Sequence, residues 1–433
     1  MIATVTQAAV SRRGFLGCAL VAGGAGLMPR MAFAAPDAAT MYPHVAALAS
    51  SYVDSGKLPG VVAVINMAGT QSAIMRGVQT LGDPRPADID SLYRAYSMTK
   101  PITGMITMML IDEGKLKLDQ PLSDILPKFA KMQVQVTPDG SITDVRPATT
   151  PITIRHLLTH TSGLGYSIIQ KGPLKDAYEA AGLVPAEVSH MALPGLTVAH
   201  NLPSLAAFAD VLSTMPLVYE PGTAWSYSVS LDLLGRVIEV VTGKPFDQVM
   251  AERIFVPCGM TNSGFMVKPG QGARLTTNYG IREGKLTPID PAATSVYLDP
   301  PAYPFGGAGL VTSSRDYDRF LQMLLGYGMI SGTRVMSEHA VRLGTGDLLP
   351  PALVGTSVFG RASGFGAGGR VGIGSDAGTF GWSGAAGTVG FVSYRAGLSA
   401  SLWVQYMPSN ALAIGEEFPI AIVADVRHEK MAA

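Results

Sequence analysis

The sequence predicts a mixed α/β (α+β) fold. It consists of an antiparallel sheet flanked by helices, together with an all-helical inserted domain. Two strand-like segments near the start of the chain, residues 61–66 and 71–77, are matched by two near its end, residues 388–394 and 398–407. The long stretch between them indicates short helices joined by loops rich in proline and glycine. Strands from both ends of a chain share one sheet most simply when the middle of the chain is an insertion.

We therefore expect residues 35–117 and 305–433 to form one discontinuous α/β domain, with residues 118–304 inserted as a mainly helical domain. The chain has 433 residues, of which 47% are hydrophobic and 15% are charged, and its formal net charge is +0. Such a composition supports a large apolar core. It gives no electrostatic reason to expect binding to nucleic acid or to an anionic membrane surface.

Residues 1–34 are typical of an export signal. The twin-arginine pattern S-R-R-G-F-L occupies residues 11–16, an apolar run follows at 18–27, and A-F-A at 32–34 is a typical cleavage site. The apolar run is too short to span a bilayer, so we expect no stable membrane anchor. We predict that the twin-arginine export machinery is a partner of the precursor and that the mature protein is periplasmic.

The first elements of the mature chain follow clear patterns. An amphipathic helix is predicted at residues 38–54, and the two N-terminal strands form a hairpin around residues 68–70. A helix then opens at Ser97 and ends near Gly114, because apolar residues recur there at helical spacing. Pro101 lies in its first turn, where proline is tolerated since the backbone N–H groups have no intrahelical partner.

Ser97 and Lys100 form a Ser-x-x-Lys element at the start of this helix. Residues three apart share one helical face, so we expect the two side chains to meet. A neutral amine beside a serine hydroxyl accepts its proton and produces an alkoxide-like nucleophile. The element is short enough to recur by chance, and an ordinary surface helix start is the alternative interpretation. The remaining motifs decide between the two.

The rest of the chain alternates helices and loops before the sheet resumes. The predicted elements, in order, are helices at 154–159, 205–215, 230–242, 246–254 and 314–326, strands at 388–394 and 398–407, and a closing helix at 414–426. The glycine-rich stretch 356–380 alternates too irregularly to be assigned. Its density of glycine is typical of tight turns or of close backbone approach to a ligand.

Two further stretches contain side chains suited to acyl transfer. In P-G-T-A-W-S-Y-S, residues 221–228, Tyr227 presents an aromatic hydroxyl just before a predicted helix. The stretch G-W-S-G-A-A-G-T, residues 381–388, contains Trp382 and directly precedes the C-terminal pair of strands. A tyrosine hydroxyl is one of the groups that enzymes use for general acid–base catalysis.

Together with H-L-L-T-H-T-S-G-L at residues 156–164, these motifs resemble, in this order, those of the serine β-lactamase and penicillin-binding superfamily. Within it the chain is most similar to class C β-lactamases and to family VIII carboxylesterases, over nearly the whole mature chain. The resemblance implies a β-lactamase/transpeptidase-like fold and no cofactor. It also implies that Ser97 is the nucleophile, with Lys100 and Tyr227 as general bases.

The resemblance further assigns the surroundings of the nucleophile. The backbone N–H groups of Ser97 and Ala385 are expected to hold the oxyanion of the reaction. Substrate contacts are expected from Trp382, Ser383, Gly384 and Val229. For Trp382, packing without any substrate contact is the alternative.

Two departures from the β-lactamase pattern bear on the substrate. Val229 replaces the asparagine usual two residues after the tyrosine, and Trp382 replaces the lysine that opens the third motif. That lysine offers positive charge to the carboxylate of a penicillin, whereas tryptophan offers an indole N–H and apolar area. A site without the cation should favour uncharged esters, as the similarity to family VIII esterases also implies.

The predicted function is hydrolysis of small, short-acyl esters by a serine carboxylesterase acting through an acyl-Ser97 intermediate. Lysine and tyrosine ordinarily have pKa values of about 10, so a general base near neutrality needs a lowered pKa. A β-lactamase, a D-amino-acid peptidase or an acyltransferase on the same scaffold is the alternative enzyme. A non-catalytic, penicillin-binding-like protein is the alternative outside enzymes.

His156 and His160 are spaced i, i+4, as metal ligands on a helix are. Leu157 stands where zinc proteases have glutamate, and no third ligand is evident, so we predict structural hydrogen bonding and no metal. No Gly-x-Ser-x-Gly motif occurs in the chain, which argues against the nucleophile elbow of an α/β-hydrolase.

Overall fold

The structure, a computed structural model, describes residues 37–184, 186–191, 193 and 202–432, with side chains up to residue 426. The predicted export signal lies outside the described residues, so export stays a prediction. Within the described ranges, no helix combines the length and the apolar character that crossing a membrane requires.

The described part of the chain contains twelve α-helices. In chain order the α-helices are α1 (Ala38–Met41), α2 (Pro43–Asp54), α3 (Thr99–Asp112), α4 (Ile154–Leu158), α5 (Gly172–Ala180), α6 (Leu205–Leu212), α7 (Ser230–Thr242), α8 (Phe246–Met250), α9 (Val256–Cys258), α10 (Ser314–Leu325), α11 (Glu338–Gly344) and α12 (Ile414–Ala432). The helix predicted at 246–254 is not a single α-helix. It begins as α8 and continues through the π-helical turn Ala251–Phe255 into α9. The closing helix, α12, begins where the sequence predicts it.

Strands occur along the whole chain and not only at its ends. In chain order they are β1 (Gly60–Met67), β2 (Thr70–Gly77), β3 (Leu92–Arg94), β4 (Gln133–Gln135), β5 (Val145–Pro147), β6 (Asn278–Arg282), β7 (Lys285–Asp290), β8 (Val311–Ser313), β9 (Met329–Ile330), β10 (Thr333–Arg334), β11 (Ser357–Val358), β12 (Arg361–Ala362), β13 (Gly364–Phe365), β14 (Arg370–Val371), β15 (Thr379–Ser383), β16 (Val389–Ser393), β17 (Leu398–Trp403) and β18 (Tyr406–Met407).

The central sheet confirms that strands from both ends of the chain meet. Its order is β13–β14–β15–β16–β17–β1–β2, and neighbouring strands are antiparallel. The N-terminal hairpin joins the C-terminal strands through β1 and β17, with Val62 opposite Trp403. The sequence did not predict β13–β15, because short strands in a glycine-rich segment lack an alternating pattern.

Strand β1 separates two apolar layers. Val61, Ala63 and Ile65 belong to an apolar layer shared with residues of α2 and α12, whereas Val62 and Val64 belong to the main core on the other face. Such alternation follows from the two-residue period of a strand. Full burial of a valine or isoleucine contributes about 1.5–3 kcal/mol relative to exposure, so these residues fix the register of the strand.

Helix α3 is buried on all sides and packs against α7 and α11. A Cβ atom on Gly104 would lie 2.1 Å from the carbonyl oxygen of Ala367, and one on Gly368 would lie 2.4 Å from the carbonyl oxygen of Lys100. Glycine at these two positions lets the glycine-rich segment touch the helix backbone. The close approach in this segment is to the backbone of α3, whereas the sequence suggested tight turns or approach to a ligand.

The sequence predicts an all-helical inserted region, but the structure has strands there as well. This region contains the antiparallel pairs β4–β5 and β6–β7, and β18 from the C-terminal part of the chain pairs with β6 in parallel. These strands are short or lie next to glycine and proline, so their periodicity is weak in the sequence. The division into a domain of residues 35–117 with 305–433 and a domain of residues 118–304 stays a prediction.

Candidate active site

Ser97 lies in a tight turn between β3 and α3. The 3₁₀ turn spans Tyr96–Met98 and α3 begins at Thr99, whereas the sequence had placed Ser97 on the helix itself. Tyr96, directly before the serine, has a φ of 43°, in the left-handed region that is rare for an aromatic residue. The hydroxyl of Thr99 donates to the carbonyl of Tyr96 over 2.6 Å and helps to hold this conformation. Backbone strain of this kind is concentrated at functional sites.

Arg94 anchors the start of the turn. Its fully buried guanidinium forms an ion pair with Asp290 and donates to the carbonyl of Thr276 over 2.6 Å and to Ser295 Oγ over 2.9 Å. A buried arginine with its hydrogen-bonding groups satisfied in this way holds a rigid position. The segment entering the Ser97 turn is therefore fixed to β7 and to the residues that follow it.

The structure brings Ser97, Lys100 and Tyr227 together. Lys100 Nζ lies 3.1 Å from Ser97 Oγ, and the Tyr227 hydroxyl donates to the same oxygen over 2.8 Å. Lys100 and Tyr227 are buried, while Ser97 retains partial exposure. Two donors directed at one serine oxygen stabilise negative charge on it, which is the electrostatic requirement for a serine nucleophile.

The amine of Lys100 has a second hydrogen bond and two aromatic neighbours. It donates to the carbonyl of Gly307 over 2.7 Å. Its Nζ lies 4.7 Å from the ring centroid of Tyr227 and 5.6 Å from that of Tyr166. The carbonyl and the two rings fix the position of the amine beside Ser97 Oγ.

Asp232 lies behind Lys100, in the first turn of α7, and the sequence analysis missed it. One of its carboxylate oxygens accepts from the backbone N–H of Gly307 over 2.8 Å, and the other has no hydrogen-bond partner within the described ranges. Burial raises the pKa of Asp232 to about 6, and the charge of Lys100 opposes that rise. The Gly307 peptide thus links the carboxylate to the lysine. An acidic residue five positions after Tyr227, in an otherwise apolar helix face, was the available sequence signal.

Trp382 contacts the catalytic candidates through its indole nitrogen. Its N–H donates to the Tyr227 hydroxyl over 3.2 Å, and the side chain is only 8% exposed. The polar atom of Trp382 is therefore directed at Tyr227. From the sequence, Trp382 was expected either to pack in the protein or to contact substrate. Its hydrogen bond to Tyr227 is a third role that the sequence does not predict.

His160 supports Tyr227 from the side. Their ring centroids are 4.7 Å apart, and His160 Nδ1 accepts from the backbone N–H of Ser228 over 3.2 Å. The ring proton is therefore on Nε2, which has no hydrogen-bond partner among the residues that the structure describes. Burial, reinforced by the charge of Lys100, lowers the pKa of His160 well below its ordinary value. His160 is consequently neutral at neutral pH.

His156, like His160, forms hydrogen bonds of the structural kind that the sequence predicts. Its Nδ1 accepts from the backbone N–H of Thr153 at the start of α4 over 3.2 Å, and the Thr153 hydroxyl accepts from the His156 N–H in return. This reciprocal pair caps the helix. No group of three or more His, Cys, Asp or Glu side chains suited to a metal ion occurs in the described part of the chain.

The segment after Trp382 lies against the Ser97 turn. A Cβ atom on Gly384 would be 2.4 Å from the carbonyl oxygen of Ala95, so only glycine allows this approach. The backbone N–H of Ala385 donates to none of the described acceptors, and Ser383 is exposed. These positions agree with the predicted oxyanion donor and substrate-facing residues, whose roles stay predictions.

Val229 differs from the expectation. Its side chain is fully buried in the main core just before α7, and its backbone N–H donates to the carbonyl of Gly165 over 3.2 Å. A side chain without exposed surface packs against protein atoms. The described geometry therefore gives no support to the predicted contact between Val229 and substrate.

Comparison with known proteins agrees with this geometry. The β-lactamase family model matches residues 45–425. Esterase EstB of Burkholderia gladioli is 31% identical over 390 residues, covering 84% of this chain and 91% of that protein. The lovastatin esterase of Penicillium rubens is 32% identical over 289 residues, covering 63% of this chain and 66% of its own.

Solved structures share the fold. EstCE1, described as a hydrolase with promiscuous acyltransferase activity, superposes with a TM-score of 0.70 at 25% identity, covering 88% of this chain and 98% of that one. The β-lactamase/transpeptidase-like architecture predicted from the sequence is thereby confirmed. The chain belongs to the β-lactamase family and is a serine hydrolase.

Proposed function

We propose that this protein is a family VIII-like carboxylesterase that hydrolyses small, short-acyl esters through an acyl-Ser97 intermediate. The observation that most supports this proposal is the position of Ser97 Oγ, 3.1 Å from Lys100 Nζ and 2.8 Å from the Tyr227 hydroxyl. The names of two relatives, EstB and lovastatin esterase, point to the same reaction class.

In the acylation step Ser97 Oγ attacks the ester carbonyl carbon, and its proton passes to Lys100 in its neutral amine form or to Tyr227 in its phenolate form. The carbonyl oxygen becomes an oxyanion that the backbone N–H groups of Ser97 and Ala385 hold. The bond between the carbonyl carbon and the alcohol oxygen then breaks. Tyr227 gives a proton to that oxygen, the alcohol leaves, and the acyl group stays on Ser97.

Deacylation repeats the same steps with water as the nucleophile. Tyr227, which has lost its proton to the alcohol, takes one from water as the oxygen attacks the acyl carbon. The second oxyanion collapses, the bond to Ser97 Oγ breaks, and the serine recovers a proton from Lys100 or Tyr227. The products are a carboxylic acid and an alcohol, so no other reactant is needed.

The preference for esters over anionic lactams rests on Trp382. Its N–H is used by Tyr227, and its side chain presents little surface to solvent. It therefore offers no positive charge to a substrate carboxylate where β-lactamases have lysine.

Export by the twin-arginine pathway to the periplasm is proposed from residues 1–34 of the sequence alone.

Hydrolysis of p-nitrophenyl acetate and butyrate, measured beside nitrocefin, tests the proposal. We expect ester turnover to exceed nitrocefin turnover, and Ser97→Ala to lower ester kcat/KM by about 10⁴-fold or more. Ser55→Ala, at the exposed end of α2, is the matched control and should keep wild-type rates. A fluorophosphonate probe should add one label to wild type and none to Ser97→Ala.

Three results would contradict the proposal. Ser97→Ala with near-wild-type turnover would exclude Ser97 as the nucleophile. Nitrocefin turnover equal to ester turnover would favour a β-lactamase. Stoichiometric labelling without turnover of any ester would favour a non-catalytic binding protein.

A further inference from the structure

A phenylalanine occupies the tip of a very short hairpin beside the candidate active site. Strands β11 and β12 pair through two residues each, and Phe359 and Gly360 form the turn, with φ of 47° and 81°. Turns with two positive φ angles favour Asn-Gly, because bulky residues are disfavoured in the left-handed region. Phe359 is thus disfavoured by the geometry of the turn itself.

The ring of Phe359 lies on three other aromatic rings. Its centroid is 5.4 Å from Trp225, 5.4 Å from Tyr227 and 6.0 Å from Trp382. One of these neighbours, Tyr227, has its hydroxyl 2.8 Å from Ser97 Oγ. The hairpin tip is therefore one side chain away from the serine.

The outer side of this cluster is open. Phe359 is 61% exposed, although a phenylalanine that served only to bury apolar area would face the core. Behind the cluster, Phe365 is buried and its centroid lies 5.7 Å from Trp225 and 5.2 Å from Trp382. The rings thus form an apolar wall that is filled on the protein side and free on the solvent side.

The position of Tyr227 decides which part of an ester would meet this wall. The tyrosine that protonates the leaving oxygen must lie next to that oxygen, and the group bonded to it extends from there. The oxyanion is held elsewhere, at the Ala385 backbone beyond the end of β15. The alcohol part of the ester, and not its acyl part, therefore lies nearest to Phe359.

We infer that Phe359, together with Trp225 and Trp382, forms a binding subsite for a flat aromatic group in the alcohol part of the ester. The inference rests on the proposed function and adds a substrate class to it. A planar ring stacks on the exposed face of Phe359, as aromatic pairs do at centroid separations of about 4.5–7 Å. The protein would then select aryl and arylmethyl esters over simple alkyl esters.

The test compares kcat/KM for benzyl acetate with that for ethyl acetate, which differ only in the alcohol. Phe359→Asn removes the ring and places in the turn a residue that suits it, so folding is retained. We expect the benzyl-to-ethyl ratio to fall about three- to tenfold, the usual contribution of one aromatic pair. Phe359→Trp should preserve the ratio. Val354→Asn, at a 63% exposed position just before the hairpin, is the matched control and should also preserve it.

The outcomes separate the two proposals. An unchanged benzyl-to-ethyl ratio in Phe359→Asn overturns the subsite while leaving esterase activity established by the wild type. A selective loss for ethyl phenylacetate relative to ethyl acetate overturns the assignment to the alcohol part. Absence of wild-type turnover with every ester overturns the proposed function, and the subsite with it.

Discussion

Replacement of Asp232 should change how the stability of the protein depends on pH. Asp232 is a fully buried carboxyl group with one unpartnered oxygen among the described residues, and it is joined to Lys100 through the Gly307 peptide. Replacement by Asn keeps its shape and an oxygen acceptor for the Gly307 N–H. It removes the negative charge, whose burial is what the folded state has to accommodate.

The sign of the effect follows from the raised pKa. Burial raises the pKa of Asp232 from 3.8 to about 6, so between these values the folded state binds more protons than the unfolded state. The stability from the protonated carboxyl is complete below about pH 4 and is lost as the pH rises through about 6. The full loss is about 3 kcal/mol, at 1.36 kcal/mol per pH unit.

We predict that Asp232→Asn gains stability relative to wild type as the pH rises. Between pH 4.5 and 7.5 the difference in free energy of unfolding should move by about 2 kcal/mol in favour of the variant. Urea unfolding followed by circular dichroism at the two pH values measures it. The neutral control Leu233→Ala should differ from wild type by the same amount at both.

Two histidines titrate in the same range with the opposite sign. Burial lowers the pKa of His156 to about 4 and that of His160 well below 6.5, so their contribution to stability is lost as the pH falls. Both proteins contain them, so they cancel in the difference. A difference between Asp232→Asn and wild type that does not change with pH would refute the reasoning.

Two further predictions concern the hydroxyl of Tyr227. Tyr227→Phe removes the donor to Ser97 Oγ, so ester kcat/KM should fall about 10²–10⁴-fold with the circular dichroism spectrum unchanged, and a loss below tenfold would exclude Tyr227 as a general acid–base. Trp382→Phe removes the indole N–H and keeps a ring, so kcat/KM should fall about three- to tenfold. In a Tyr227→Phe background the same change should have no effect, whereas equal losses in both backgrounds would show that Trp382 acts on something other than Tyr227.

The parts of the fold that the sequence predicted are those with a strong local pattern. The run of β-branched residues in β1 and the helical spacing in α10 identify these elements, and the pairing of β1 with β17 follows from their positions at the chain ends. Strands β13 and β14 have two residues each, and their pairing depends on the approach of glycines to α3. No local pattern records such an approach.

The candidate site divides in the same way. Ser97 and Lys100 are three residues apart, so helical geometry alone brings them near, and the left-handed Tyr96 adjusts the turn. Tyr227 is 130 positions from Ser97, and its place was implied by motif order and not by geometry. Phe359 was missed because its contacts with Trp225, Tyr227 and Trp382 join separate elements that only the tertiary structure brings together.

The hydrogen bonds around Ser97 have fixed directions at both ends. The indole N–H of Trp382 only donates, so the Tyr227 oxygen accepts there and its single proton is left for Ser97 Oγ. The Gly307 carbonyl only accepts, so Lys100 donates one of its N–H groups to it. With both ends unable to reverse, the proton of Ser97 passes, among these contacts, only to the lone pair of a neutral Lys100 or to a Tyr227 that has lost its own. The replacement of a lysine by Trp382 therefore does more than remove a cation from the substrate site, because the indole N–H also donates to the Tyr227 oxygen and stabilises negative charge there when Tyr227 has given up its proton.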